Sequence, residues 1–145
     1  MTTELGSIVL GTDFGPTSAA AERAAIELAR ERGADLVVVH AIDPGRLRLP
    51  GGLWRNRVDQ ARSARERDAR LLLAAARDAG VSARILIWTG DAASCVVDAA
   101  RAEHADRIIL GSHRRGRLGK AIAGSVVDAV RARAECPVDV VAASS

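Results

Sequence analysis

The residues best suited to chemistry lie between Arg107 and Val127. An apolar run that ends at Gly111 leads into the basic segment Ser-His-Arg-Arg-Gly-Arg-Leu-Gly-Lys, and a helix-forming stretch follows at 121–130. Glycine permits positive φ and a close approach of the backbone, and a helix N-terminus offers unpaired N–H groups at the positive end of its dipole. A strand, a basic loop and a helix start in this order predict a cradle for an anion, with a phosphate-bearing ligand as the first choice.

The glycine spacing excludes two common phosphate-binding motifs. The P-loop requires GxxxxGK[ST], but Ala121 follows Gly119-Lys120, and Arg114 stands where the first glycine would be. The dinucleotide motif GxGxxG is also absent. The segment instead holds Gly111, two residues, Arg114, nine residues and then Gly124-Ser125.

Alternating strand and helix segments position this loop. Strands are predicted at 7–12, 35–41, 81–89, 107–111 and 138–142, and helices at about 18–32, 54–79, 92–103 and 121–134. The continuous Leu-Val-Val-Val run of the second strand indicates burial on both faces, as in a parallel sheet. The alternation predicts one doubly wound α/β domain over residues 1–145, with a five-stranded, mostly parallel sheet and four helices.

Two helix starts carry capping signals. Thr17 or Ser18 is expected to cap the first helix, and Glu22 would lie in its early turns, where its charge suits the helix dipole. Asp91 is expected to cap the third helix. His40, near the end of the second strand, is expected to be a packed residue and not a ligand or catalyst.

Three residues at the carboxyl ends of predicted strands are candidates for one binding crevice. Doubly wound sheets bind ligands outside these ends, where the strand order reverses. Asp13, Ala41 and Gly111 lie at such ends, and Asp13 faces the glycine loop if the first and fourth strands are neighbours. Taken alone, Asp13 is more typical of a turn or a helix cap. The glycine- and proline-rich stretch 43–53 predicts a mobile loop that covers a site.

Three further stretches of the sequence, together with the glycine spacing, resemble those of a known family. IVLGTDFGPTSAAAERA at the start, VVVHAIDP at the second strand and CPVDVVAA at the end resemble the universal stress protein family. Nucleotide-binding members of that family carry Gly-x2-Gly-x9-Gly-[Ser/Thr] at the position of Gly111 to Ser125. The resemblance covers nearly the full length, interrupted mainly at 43–53. It implies a Rossmann-like fold with strand order 3-2-1-4-5.

The resemblance also implies an adenine-nucleotide site. ATP with Mg²⁺ is the expected ligand, and AMP or cyclic AMP are other adenine nucleotides of the same kind. By resemblance, Asp13 would contact the ribose or adenine, and Thr12 and Ala41 would line the adenine through their backbone. The phosphates and ribose would be cradled by Gly111, Ser112, Gly124, Ser125 and Val126.

Two residues depart from the pattern of the nucleotide-binding members. Arg114 replaces a glycine, where its guanidinium could clash with a phosphate or pair with it. Val127 replaces a residue that commonly bears a hydroxyl. Two hypotheses therefore stay open: an ATP-binding regulatory module of the stress response, and a dimeric interaction protein whose nucleotide site is degenerate. A dedicated enzyme is a distant third hypothesis. At most slow ATP hydrolysis is expected, since the GxSxG and HExxH motifs and paired carboxylates are missing.

Composition limits the partners. Aromatic residues make up 2% of the chain, so base-stacking nucleic-acid modules are not expected. No apolar run of roughly 18 residues and no signal-peptide pattern occur, so neither a membrane partner nor export is expected. Cys95 and Cys136 lack a CxxC pattern and metal partners, which favours reduced structural thiols in a cytoplasmic protein. The edge strand 138–142 is expected to pair across a two-fold axis in a homodimer.

Overall fold

The structure is a computed structural model, and it describes residues 6–43, 53–112 and 124–143. The strands are β1 Ser7–Gly11, β2 Asp35–Ile42, β3 Ala83–Thr89, β4 Arg107–Ser112 and β5 Val138–Ala142. The α-helices are α1 Ala19–Arg32, α2 Leu53–Asp78, α3 Ala92–Ala102 and α4 Gly124–Arg133, and a 3-10 turn at Pro16–Ser18 precedes α1. Within these ranges the predicted four helices and five strands are confirmed.

The sheet is parallel throughout and has the order β3-β2-β1-β4-β5. This confirms the expected doubly wound topology, in which the strand order reverses between β1 and β4. In the register, Gly11 of β1 is the partner of Val39 in β2 and of Leu110 in β4. The carboxyl ends of these three strands therefore lie side by side at one edge of the sheet.

The core has two layers, one on each face of the sheet. Alternate strand residues such as Leu10 and Val38 pack under α1 and α2, and their neighbours Val9 and Val39 pack under α3 and α4. Alanines form the buried stripe of α1 and allow it to approach the sheet closely. This aliphatic packing is what the continuous apolar runs predicted for strands covered on both faces.

Some boundaries differ from the prediction. β3 begins at Ala83, not at 81, because Val81 belongs to the end of α2. Its N–H donates to the carbonyl of Ala76 at 2.9 Å, and Gly80 before it adopts φ 79°. This is the left-handed helix ending that glycine favours, and the buried Val81 side chain packs below it.

The cap of the first helix also differs. Ser18 stands at the N-cap position of α1, but it has helical φ and ψ and its side chain makes no capping hydrogen bond. Its hydroxyl donates to Oδ1 of Asp13 at 2.8 Å instead. In α3 the prediction is confirmed, since the carboxylate of Asp91 accepts the N–H of Ser94 at 3.0 Å.

The predicted loop 43–53 lies outside the described residues apart from its ends, as do His113 and the candidate ligand residue Arg114. Among the helices of the described residues, none combines the length and the apolar composition that a membrane span requires.

Candidate functional site

The carboxyl ends of β1, β2 and β4 form the edge where the predicted residues meet. Thr12 and Asp13 follow β1 directly, Ala41 is the penultimate residue of β2, and Gly111-Ser112 end β4. The N–H of Thr12 continues the ladder by donating to the carbonyl of Val39 at 3.1 Å. The arrangement therefore places five of the nine candidate residues on adjacent strand ends.

Asp13 organises the turn that follows β1. Its Oδ1 accepts the N–H of Gly15 at 2.7 Å and the hydroxyl of Ser18 at 2.8 Å. A side chain at position 15 would be tightly placed, because its Cβ would lie 3.0 Å from this same oxygen. Asp13 itself is exposed, so a carboxylate with a fixed orientation stands at the open edge of the sheet.

The Thr12 side chain ties this turn to α1. Its Oγ1 accepts the N–H of Phe14 at 2.9 Å and donates to Oε2 of Glu22 at 2.8 Å. Phe14 has φ 61°, a left-handed conformation that a bulky residue rarely adopts. The hydrogen bond to Thr12 helps to hold that strained residue in place.

His40 joins the same cluster from β2. Its Nδ1 lies 2.8 Å from the carbonyl oxygen of Thr12, and because a carbonyl can only accept, this nitrogen carries the hydrogen. The ring also contacts Phe14, with centroids 5.2 Å apart. Burial lowers the pKa of His40, which keeps the ring neutral. The expectation of a packed histidine is confirmed.

Glu22 is half-buried, and its pKa is raised above the ordinary value. Burial is the main cause, and the carboxylates of Asp13 and Asp68 add to it. The hydrogen bond from Thr12 and the charge of Arg23 act in the opposite direction. Glu22 lies in the first turn of α1 as predicted, but its carboxylate is engaged with Thr12.

The remaining candidate residues on the described part of the chain lie on β4 and α4. A Cβ at Gly111 would lie at ordinary contact distance, 3.5 Å, from the backbone of Thr17 and Ser18. Val126 is half-buried against the core layer under α3 and α4, and Val127 is buried within that layer. Val127 is therefore a core residue, which accounts for the apolar side chain at this position. The backbone of Gly124 and Ser125 forms the start of α4.

The interacting cluster of Thr12, Glu22 and His40 was not foreseen from the sequence. The available signals were weak: a Thr-Asp pair after a strand, an acidic residue ten positions later and one histidine in an apolar run. Neither cysteine belongs to this cluster. Cys95 is buried in α3, where burial raises the pKa of its thiol, and Cys136 is half-buried. No group of His, Cys, Asp and Glu in the described parts of the chain could hold a metal ion.

A doubly wound α/β fold with a polar, preorganised edge at the carboxyl ends of its strands defines the class of this protein. The family model of the universal stress protein family matches residues 5–142. The chain therefore belongs to the universal stress protein family.

Individual relatives agree with this assignment. The universal stress protein encoded in the QAH/OAS sulfhydrylase 3′ region of Thermus aquaticus is 33% identical over 130 residues, which cover 88% of this chain and 90% of the relative. Universal stress protein UspA from Lactobacillus plantarum has the same fold, with TM-score 0.85 and 19% identity, covering 97% of this chain and 99% of that one. A universal stress protein from Archaeoglobus fulgidus in complex with dAMP is 26% identical, with TM-score 0.67, covering 93% and 96% of the two chains.

Proposed function

We propose that this chain binds an adenine nucleotide at the carboxyl edge of β1, β2 and β4 and acts as a regulatory module of the stress response. The observation that carries the proposal is the register of the sheet, which puts Asp13, Ala41 and Gly111 at neighbouring strand ends. The Archaeoglobus relative supports the ligand class, because it was solved with dAMP. ATP with Mg²⁺ is the ligand proposed for the cell.

The division of roles follows from the chemistry of the groups. The exposed carboxylate of Asp13 can accept hydrogen bonds from ribose hydroxyls or from the adenine amino group. The backbones of Thr12 and Ala41 would line the base. The phosphates would meet N–H groups at the N-terminus of α4, where the helix dipole favours negative charge. The residues proposed for that side are Gly111, Ser112, Arg114, Gly124, Ser125 and Val126.

Regulation would pass through α4 to β5. α4 begins at the proposed phosphate side and packs against both β4 and the edge strand β5. A ligand that stabilises the start of α4 would therefore act on the element beside the edge at which we propose homodimerisation. A cytoplasmic location is part of the proposal, because Cys95 and Cys136 are free thiols, as is usual in reducing compartments.

A second candidate function is an interaction protein that binds no nucleotide. Two observations favour it. Oδ1 of Asp13 already accepts two hydrogen bonds inside its own turn. Val127 serves the core and offers no hydroxyl to a phosphate. Under this hypothesis the turn after β1 would be a structural feature alone.

Calorimetric titration with dAMP, and with ATP and Mg²⁺, separates the two. In Gly124→Asp a negative side chain would stand at the start of α4, and we expect affinity to fall by at least about tenfold because like charges repel at short range. Leu71→Asp, on the solvent face of α2, adds the same charge elsewhere and should bind like the parent. If the folded parent takes up neither nucleotide, the proposal fails and the second candidate stands.

A further inference from the structure

Buried polar residues in the described part of the chain are concentrated at one place. Thr12, Ser18 and His40 are 8%, 2% and 7% exposed, and each hydrogen-bonds within segment 12–18 or to its backbone. Burying polar groups costs free energy unless each finds a partner, and a satisfied network favours one conformation over others. This cluster therefore fixes the shape of segment 12–18, which carries Asp13.

The network acts on a strained backbone. Phe14 adopts φ 61°, and its N–H is held by Oγ1 of Thr12 at 2.9 Å. Strain of this kind persists only where the surroundings hold it, and it occurs preferentially at binding sites. A group that fixes the orientation of the Thr12 hydroxyl therefore also stabilises the backbone of Phe14, the residue next to Asp13.

The direction of the Thr12 hydroxyl depends on Glu22. The hydroxyl has a single hydrogen, and while its oxygen accepts the N–H of Phe14 that hydrogen is donated to Oε2 of Glu22 at 2.8 Å. An ionised carboxylate can only accept, so it enforces this direction with a charge-assisted hydrogen bond. A protonated carboxyl can donate instead, and the hydroxyl is then no longer held in one orientation.

We propose that Glu22 is a positioning residue: its ionised carboxylate orients the Thr12 hydroxyl, which holds the strained turn that presents Asp13 to the ligand. The inference deepens the proposed nucleotide site and rests on it for its consequence in binding. The conformational part, the control of the Phe14 amide by Glu22, stands on the hydrogen bonds alone.

The surroundings of Glu22 make this control sensitive to pH. Burial raises its pKa most, Asp13 of the turn and Asp68 of α2 raise it further, and Arg23 of α1 opposes them. The nearby His40 ring, which bonds to the Thr12 carbonyl, feels the charge of Arg65 of α2 and the opposite charges of Asp13 and Asp68. Glu22 therefore takes up a proton nearer to neutrality than an ordinary glutamate does. The turn should loosen and affinity should fall as the pH is lowered through that range.

The test compares the parent with Glu22→Gln, which keeps an accepting oxygen but cannot ionise. Glu27→Gln is the matched control, because Glu27 lies on the same helix and is ion-paired with Arg30 at the surface. The amide resonance of Phe14 is followed by NMR from mildly acidic to neutral pH. Affinity for dAMP is measured by calorimetry at both ends of that range.

In the parent and in Glu27→Gln, we expect the Phe14 amide to titrate together with Glu22. At neutral pH the parent should bind dAMP roughly three- to tenfold more tightly than Glu22→Gln, which is the range for the loss of one hydrogen bond. The ratio of the two affinities should approach one at mildly acidic pH, where Glu22 of the parent is protonated. Titration of the nucleotide phosphate changes both affinities alike, so its effect cancels in this ratio. The His40 ring resonances report that group's titration separately.

Identical Phe14 titrations in the parent and Glu22→Gln would overturn the inference, and so would an affinity ratio that does not change with pH. A parent that binds no dAMP overturns the proposed function instead, and the Phe14 resonance then decides on Glu22 alone.

Discussion

The carboxylate of Asp13 has one role in the fold and a second, proposed role in binding. Oδ1 holds the turn after β1 through Gly15 and Ser18, and the exposed carboxylate is also proposed to meet the ligand. These tasks are compatible, because a group whose orientation is fixed beforehand loses little conformational entropy on binding. The two interpretations of Asp13, turn residue and ligand contact, therefore describe one arrangement.

His40 gives a prediction at the scale of one residue. Burial lowers its pKa below the ordinary value of 6.5, so at mildly acidic pH the unfolded chain binds a proton that the folded chain does not. The free energy of unfolding should therefore fall as the pH drops below 6.5. His40→Asn keeps an N–H donor near the position of Nδ1 but removes this titration.

The measurement is urea unfolding of the parent and His40→Asn at neutral and at mildly acidic pH. Other groups titrate alike in both proteins, so the stability advantage of the parent should shrink as the pH falls. An advantage of the same size at both pH values would show that His40 is not buried as a neutral ring.

The sequence predicted individual residues better than their contacts. The position of Asp13 after a strand and the packing of His40 both followed from local pattern. The hydrogen bonds that the Thr12 hydroxyl donates to Glu22 and that His40 donates to the Thr12 carbonyl did not, because they join the end of β1 to α1 and β2. Residues 28 positions apart become neighbours only once the strands are paired, and no local periodicity records that distance.

At the scale of elements, the N-terminus of α3 depends on one capping side chain. The carboxylate of Asp91 accepts the N–H of Ser94 at 3.0 Å. Asp91→Ala leaves that N–H without its partner and should lower the free energy of unfolding by about 1 kcal/mol. Asp98→Ala, an exposed substitution on the same helix, should change it by less than about 0.5 kcal/mol. Chemical denaturation checks both, and equal effects would contradict the role of the cap.

The elements themselves were well predicted because their signals are local. Continuous aliphatic runs marked the strands, and a glycine with positive φ follows two of the helices, Gly33 after α1 and Gly80 after α2. The errors arose where one residue could form either of two local contacts. Ser18 could cap α1 or bond to Asp13, and Val81 could extend β3 or close α2. Tertiary packing decided both cases.

At the scale of the whole molecule, the two edge strands of the sheet, β3 and β5, differ in their surroundings. At β3, the guanidinium of Arg62 donates to the carbonyl of Ile87 at 2.8 Å and so occupies part of that edge. At the opposite edge, the valines of β5 are half-buried against the core layers, Val138 and Val140 on one face and Val141 on the other, and Asp139 pairs with Arg107. A short edge strand of mostly apolar residues suits pairing with a second copy, which is the homodimer proposed above.

Val140→Lys tests this interface. A lysine there would stand close to its own copy across a two-fold axis, and the repulsion should raise the dimer Kd on the order of a hundredfold, giving monomers on a sizing column. Ala142→Lys, at the exposed end of β5, is a second variant that spares the core. Ser82→Lys beside the opposite edge is the control and should stay dimeric. Folded Val140→Lys and Ala142→Lys proteins that both remain dimers would exclude β5 as the interface.

The topology of the whole molecule was predictable because alternating strands and helices allow few arrangements, and the resemblance to the family selected the order 3-2-1-4-5. Of the candidate site, only its location at the carboxyl edge of the sheet was predictable. Strand ends fix where Asp13 and Gly111 lie, but the buried network that shapes the edge depends on side-chain contacts between elements. Val127 shows the same limit, since a motif comparison cannot reveal that a side chain is needed by the core.

The most direct test of nucleotide binding at this edge is an NMR titration of the parent protein with dAMP, read at the backbone amides. We predict saturable shifts centred on Asp13, Ala41, Gly111 and Val126, with small changes at the opposite end of the sheet. An unchanged spectrum at saturating dAMP would contradict it, and so would shifts confined to residues away from the carboxyl ends of β1, β2 and β4.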